Sequence, residues 1–243
     1  RIDKLMVMQG LAKSREQAGS LLMSGKVFVN QKRVEKSGQQ VPIDSKIDLK
    51  GKTHPWVSRG GIKLEKAILE FNLNCKSVTA LDIGASTGGF TDVLLANGAH
   101  KVYAVDVGYG QLDWKLRQDK RVIVKEKTNA RFLTNQIITD PLDAIVCDAS
   151  FISLKKVLPS GLKLLKNNGW LAALIKPQFE VGKGLVGKGG VVRNSELHKE
   201  VKNDIKNWVQ FEMKMNLLGI VDSPILGPSG NKEFIIVATK LLN

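Results

Sequence analysis

The sequence predicts an α/β fold built on a seven-stranded, mostly parallel sheet whose last strand is antiparallel, with a small α+β module ahead of it. Three observations predict it. From residue 77 onward, short apolar runs alternate with helical stretches, which implies parallel strands covered on both faces. A glycine-rich turn, Gly84 to Gly89, follows the first of those runs. The last two runs are joined by a segment broken at Pro224, Gly227, Pro228 and Gly230, which leaves no room for a helix and makes the final strand antiparallel.

The predicted strands are Val78–Ile83, Lys101–Val107, Val122–Val124, Ala144–Cys147, Trp170–Ile175, Leu217–Val221 and Glu233–Thr239. A helix from Ile62 to Phe71 precedes them, with Leu64, Ala67, Ile68 and Phe71 at helical spacing. Residues 51–58 read as a linker punctuated by Gly51 and Pro55, so the domains are expected at 1–50 and 59–243. In the first domain, a short helix begins at Asp3. Ser14 caps a second, which carries Ala18, Leu21 and Leu22 on one face and stops at Gly25. Strands are expected at Lys26–Val29 and Lys46–Leu49, with Asn30-Gln31-Lys32 as a turn.

Composition narrows the function classes. A net charge of +14 favours a polyanionic partner, and residues 1–50 hold ten Lys/Arg against five Asp/Glu. Cys75 and Cys147 are far apart, so a disulfide framework is not expected and a reducing cytoplasm fits. His54, His100 and His198 lack metal-ligand spacing, so no zinc site is expected. No apolar run approaches the roughly 20 residues that span a bilayer, and no secretory leader is visible, so no membrane partner is expected.

The turn Asp82-Ile83-Gly84-Ala85-Ser86-Thr87-Gly88-Gly89-Phe90 closes a strand and opens a helix. Its spacing is G-x-x-x-G-G. Dinucleotide sites want glycine where Ser86 stands, and no P-loop lysine follows. Asp106 ends the next strand, where a carboxylate suits a ribose diol. Asn129 is placed to approach an adenine edge. The turn resembles the methionine-binding loop of Rossmann-like class I methyltransferases, which would make S-adenosyl-L-methionine the cofactor. The plainer alternative is that Gly84 and Gly88 only shape a turn and Asp106 only caps it.

Attack by a ribose 2′-hydroxyl on a sulfonium methyl needs a group to take or orient its proton. A lysine serves if its surroundings bring its pKa down from about 10.4. Lys176 ends the fifth strand and Asp148 the fourth, so both are expected at the cofactor edge of the sheet. Lys63, at the start of the preceding helix, and Glu233, where the last strand begins, are candidates to join them. Spacing alone leaves these two equally readable as solvated charges.

Five stretches carry a family resemblance: Trp56 to Leu64, Asp82 to Asp92, Asp148 to Leu154, Leu174 to Glu180 and Gly227 to Glu233. On them the chain is identified as similar to the TlyA (haemolysin A-like) family, related to the FtsJ-type ribose 2′-O-methyltransferases. The resemblance implies a Lys-Asp-Lys-Glu tetrad at Lys63, Asp148, Lys176 and Glu233, with a ribosomal-RNA cytidine as substrate. Residues 1–50 resemble the RNA-binding domain of ribosomal protein S-four, on Arg1, Asp3, Ser14, Arg15, Gly25, Val27, Val29 and Asn30. Ribosomal RNA or a ribosomal subunit is then the expected partner, with Arg1, Arg15, Lys32, Arg33 and Arg59 as phosphate contacts. Gly182 to Gly190 looks longer than the family's usual loop, and its Lys183 and Lys188 are further expected RNA contacts. Two other functions compete with this reading. A non-catalytic RNA-binding or ribosome-assembly factor would not bind the cofactor. A haemolysin, which the family name suggests, has neither a spanning helix nor long amphipathic strands to support it.

Overall fold

The computed structural model describes residues 1–12, 14–49, 54–227 and 230–241. It divides into two compact units, Arg1–Pro55 and Trp56–Asn243. Residues 51–53 of the expected linker lie outside the described residues.

The first unit contains α1 (Ile2–Met8), α2 (Arg15–Met23), β1 (Val27–Val29), β2 (Lys32–Arg33) and β3 (Ile47–Leu49). The strands form one antiparallel sheet in the order β2-β1-β3. Ser14 caps α2 by accepting from the Gln17 N–H. Its small core gathers Ile2, Met6, Ala18, Leu22, Val27 and Ile47. Lys32 belongs to a strand, not to a turn. Val29 pairs with Lys32, leaving only Asn30 and Gln31 between them, with φ of 48° and 66°. Two left-handed residues make a tight hairpin turn matched to the strand twist. Glutamine rarely adopts that conformation, so the turn's length was hidden.

In the second unit, α3 (Gly60–Phe71) leads into β4 (Thr79–Ile83), α4 (Gly89–Ala96), β5 (Lys101–Val105), α5 (Trp114–Arg117), β6 (Val122–Lys125) and β7 (Leu142–Cys147). Then come α6 (Leu154–Val157), α7 (Pro159–Leu164), β8 (Leu165–Ile175), α8 (Pro177–Glu180), α9 (Ser195–Asn207), β9 (Met215–Asp222) and β10 (Phe234–Lys240). The sheet order is β6-β5-β4-β7-β8-β10-β9. β10 runs antiparallel to both β8 and β9, and the other pairings are parallel. This is the seven-stranded, mostly parallel α/β sheet that the sequence predicts, with its last strand antiparallel. The expected strand at 170–175 is longer, because β8 starts at Leu165. α3 starts two residues earlier than its apolar period suggested.

Alternate strand residues feed two separate cores. Ala80, Val102, Val146 and Leu174 face α3 and α4, while Leu81, Tyr103, Ile145 and Ile175 join the core that includes residues of α6, α7 and α9. Both faces are buried, which is why the strands read as continuous apolar runs and not as alternations.

This topology builds a functional edge. Parallel register places Ile83 beside Val105 and Cys147, so β4, β5 and β7 end together. Strand order reverses between β4 and its two neighbours, and the crevice outside such a switch point is where open α/β sheets bind ligands. Because β10 is antiparallel, its first residue, Phe234, pairs with the last residue of β8, Ile175. Glu233, just before β10, therefore reaches the same edge as Lys176, just after β8.

Candidate functional site

The cleft at this edge has two adjoining lobes that share Gly84, Ser86, Asp148 and Ser150. The first, about 300 Å³, is lined by Arg59, Gly60, Lys63, Asp82, Lys176 and Gly227 among others. The second, about 370 Å³, is lined by Val107, Asp106, Asn129, Ala130, Ile152 and Val157 among others.

The glycine turn forms the floor. Gly84 has φ of +79°, and a Cβ there would lie 2.9 Å from the Cα of Ala149. Only glycine lets the β4 turn pass this close to the chain leaving β7. The Gly84 and Ala85 N–H groups both donate to the Val105 carbonyl, pinning the turn to β5. Gly88 serves differently. Its φ is +93°, and a Cβ would collide with Leu116 and Leu112, so it packs the turn under α5. Gly89 passes close to Ser58 and Gly61. Ser86, Thr87, Gly89 and Phe90 line the first lobe.

Asp82 lies beneath this turn with no exposed surface. Its Oδ2 accepts from the Thr91 N–H at 3.0 Å and from the Thr91 hydroxyl at 2.7 Å, while Oδ1 has no partner. Burial pushes the carboxyl up to about 7, against the opposing pull of the Thr91 hydrogen bonds. Asp106 is oriented by two backbone donors, Ser86 N–H to Oδ2 at 2.8 Å and Gly108 N–H to Oδ1 at 2.7 Å. Asn129 uses its Oδ1 to cap the turn at Arg131 and is one of the residues lining the second lobe. Beside that lobe, Phe151 holds a left-handed backbone (φ 64°) and is 90% exposed, its ring 5.1 Å from that of Phe179. A bulky residue in that conformation is strained, and strain of this kind clusters at functional sites.

Four charged side chains from distant parts of the sequence meet above the first lobe. Lys63 Nζ lies 2.7 Å from Glu233 Oε2 and 3.5 Å from Asp148 Oδ2. Lys176 Nζ lies 2.5 Å from Asp148 Oδ1, an ion pair set outside hydrogen-bonding angles. The same amine donates to the Asp148 carbonyl at 3.1 Å and to Ser150 Oγ at 2.8 Å. Lys63, Lys176 and Glu233 are all more than nine-tenths buried, whereas Asp148 is partly open to the cleft. Pro177 and the short α8 turn the chain away after Lys176, so its side chain ends at the edge and not within the sheet. Such a constellation can hold a hydroxyl and manage its proton without a metal. Among the described residues, no group of three or more His, Cys, Asp or Glu is arranged to hold a metal ion.

The expected RNA contacts are divided between the two units. Arg1 and Arg15 each reach Asp3 Oδ2 at 2.9 Å, their heads remaining half exposed. Those two guanidiniums, Arg1 foremost, draw the Asp3 carboxyl down to about 2. Arg33 pairs with Glu35 and lies over Gly25, where a Cβ would strike its guanidinium. Lys32 and Lys188 are exposed, and Arg59 stands at the mouth of the first lobe. The Lys183 side chain lies outside what the structure describes. Sequence reasoning missed Ser150, Ser58 and Gln111, whose amide oxygen accepts from Ser86 Oγ at 3.2 Å. Ser150 stood two residues after Asp148 in a stretch already singled out; Gln111 had no signal at all.

Comparison with known proteins fits this geometry. The FtsJ-like methyltransferase family model matches residues 56–240, and the S4 domain model matches residues 1–47. The chain is 44% identical over 237 residues to the 16S/23S rRNA (cytidine-2'-O)-methyltransferase TlyA of Mycobacterium tuberculosis, covering 97% of this chain and 88% of the relative. It is 39% identical over 236 residues to Hemolysin A of Brachyspira hyodysenteriae, covering 97% and 98%. A solved structure from Streptococcus thermophilus that carries a hemolysin name is 43% identical, with a TM-score of 0.78 over 99% of this chain and 88% of its own. Among the described residues, no helix is long and apolar enough to cross a membrane. With a domain model covering three-quarters of its length and the glycine turn and four-residue charge cluster in place, the chain belongs to the FtsJ-like methyltransferase family, joined to an S4 domain.

Proposed function

We propose that this protein transfers a methyl group from S-adenosyl-L-methionine to a ribose 2′-hydroxyl of ribosomal RNA, with cytidine as the target nucleoside. The observation that carries the reading is the meeting of Lys63, Asp148, Lys176 and Glu233 beside the glycine turn, each pair within 3.5 Å along the chain of contacts. The relative named as a cytidine-2′-O-methyltransferase of rRNA supports the substrate. A ribosomal substrate puts the reaction in the cytoplasm.

The cleft fits the cofactor by its chemistry. Asp106 presents a carboxylate whose outer lone pairs suit a ribose diol. The lobe of Val107, Ala130, Ile152 and Val157 offers an apolar slot for a flat base, with the Asn129 amide at its rim. The unpartnered Asp82 Oδ1 beneath the first lobe is a buried acceptor lacking a donor. When bound, the cofactor supplies an electrophilic methyl on a sulfonium.

The residues do the rest. Lys63 and Glu233 form a desolvated pair that fixes the Asp148 carboxylate from one side, and Lys176 fixes it from the other. The Lys176 amine, held by the Asp148 carboxylate and carbonyl and by Ser150 Oγ, is the group assigned to orient the attacking hydroxyl and accept its proton. The exposed Phe151 ring gives the target base a surface to stack on, as aromatic side chains do for unstacked nucleotides. Arg15, Lys32 and Arg33 of the S4 unit, with Arg59, Lys183 and Lys188, contact phosphates.

The test is incubation of the protein with labelled S-adenosyl-L-methionine and ribosomal subunits lacking the modification. Label in rRNA that disappears with Lys176→Ala is the expected result. A protein that binds no cofactor by calorimetry would instead be an assembly factor.

A further inference from the structure

Residues 182–192 form a glycine-rich segment containing Gly182, Gly184, Gly187, Gly189 and Gly190, the last two at φ of +76° and +75°. Ordering such a chain costs more backbone entropy than ordering most sequences. Specific contacts must therefore hold it, and two side chains outside the tetrad do so. Asn231 is 2% exposed. Its Nδ2 donates to the Gly190 carbonyl at 2.9 Å, and its Oδ1 accepts from the Val192 N–H at 3.1 Å. Its own carbonyl accepts from the Gly227 N–H at 2.9 Å. From the other side His198 Nε2 lies 2.9 Å from the Val192 carbonyl and must be the donor, since a carbonyl only accepts. The His198 ring packs edge-on against Phe234 at 5.6 Å. Asn231 lies two residues before Glu233 and Phe234 directly after it, and Gly227 is so close that a Cβ on it would strike Glu233 Oε1.

We propose that Asn231 is a positioning residue that latches the 182–192 segment to the strand start carrying Glu233, with His198 as the second point of the latch. The loop that bears Lys188 and the reacting centre then share one hydrogen-bonded frame, and RNA held by the loop is held in register with the tetrad. Asparagine is the side chain this needs, because it presents one donor and one acceptor at once. Aspartate keeps the acceptor for Val192 but sets an oxygen against the Gly190 carbonyl.

The proposal rests, for its catalytic half, on the methyl-transfer reading. The test therefore uses two readouts on the full chain, tryptic cleavage after Lys188 without RNA, and methyl-transfer kinetics with ribosomal subunits. For Asn231→Asp, cleavage should quicken about tenfold and KM for RNA rise about tenfold, the equivalent of one lost buried hydrogen bond. In the same variant kcat should stay within about threefold and the S-adenosyl-L-methionine Kd within about twofold, both under the tenfold expected for a lost contact. His198→Ala should follow Asn231→Asp, and His198→Gln, which keeps a donor, should return cleavage to the wild-type rate. If Asn231→Asp does not fold, the His198 pair carries the test. Unchanged cleavage in the variants, or an unchanged KM, overturns the latch. A protein that cleaves as expected yet transfers no methyl to RNA overturns the catalytic reading and leaves the latch standing.

Discussion

Lys63 Nζ and Glu233 Oε2 lie 2.7 Å apart across 170 residues of sequence, in surroundings that leave the Glu233 side chain no solvent exposure and the Lys63 side chain 7%. A buried pair adds little over an apolar replacement, but removing one partner strands the other charge. Lys63→Met should therefore lower stability by about 3–5 kcal/mol, and adding Glu233→Leu should recover most of the loss. Urea unfolding of the two single variants and the double variant measures this. Losses that simply add would show that the two groups do not depend on one another.

Lys176→Ala should reduce kcat by about 10²- to 10⁴-fold, the usual worth of a positioned proton acceptor, with cofactor affinity little changed. Single-turnover methyl transfer and calorimetry on the same preparation separate the two. Retained turnover would move the base elsewhere in the cluster.

Burial sets the Asp82 carboxyl near 7 against an ordinary 3.8. The folded chain thus holds this proton more tightly than the unfolded chain. Asp82 is neutral and tolerated at low pH, and it destabilises the fold increasingly as pH rises from about 4 to about 7, reaching at most about 4 kcal/mol. Asp82→Asn should remove that dependence, so its stability relative to wild type should climb across this window and then level off. A constant difference in denaturant midpoint from pH 4 to pH 8 would contradict the burial argument.

Much of this site was legible because strand ends are legible. Asp148 and Lys176 each close an apolar run, and parallel packing sends both to one edge. Lys63 and Glu233 were ambiguous by spacing. Lys63 needs α3 to pack beside β10, and Glu233 needs β10 to insert antiparallel beside β8, which are long-range facts. The S4 unit's Lys32-Arg33 strand was hidden by a two-residue turn carrying glutamine at positive φ. Arg1 and Arg15 read as phosphate contacts in the sequence, and both also pair with the buried Asp3. Gly88 reads as a cofactor contact, and its lack of a Cβ also makes room for Leu116.

Gly84→Ala should push the β4 turn off Ala149 and force an alanine into φ of +79°. A stability loss of about 1–3 kcal/mol and weaker cofactor binding should follow. Thermal melts with and without S-adenosyl-L-methionine check it, and an unchanged ligand-induced shift would remove the turn from the binding site.

Lys32→Ala removes one exposed cation and should weaken RNA binding while lowering the slope of log K against log salt by about 1. Arg15→Ala should in addition destabilise the S4 unit, because it strips a partner from Asp3. Binding curves at several salt concentrations, together with the melting of each variant, distinguish the two effects.

The most direct measurement is the position of the transferred methyl. rRNA methylated by the protein is digested to nucleosides and resolved by mass spectrometry into ribose-methylated and base-methylated species. A methyl on the ribose of cytidine is the predicted result. A methyl on a base nitrogen or carbon, with none on ribose, would contradict the account.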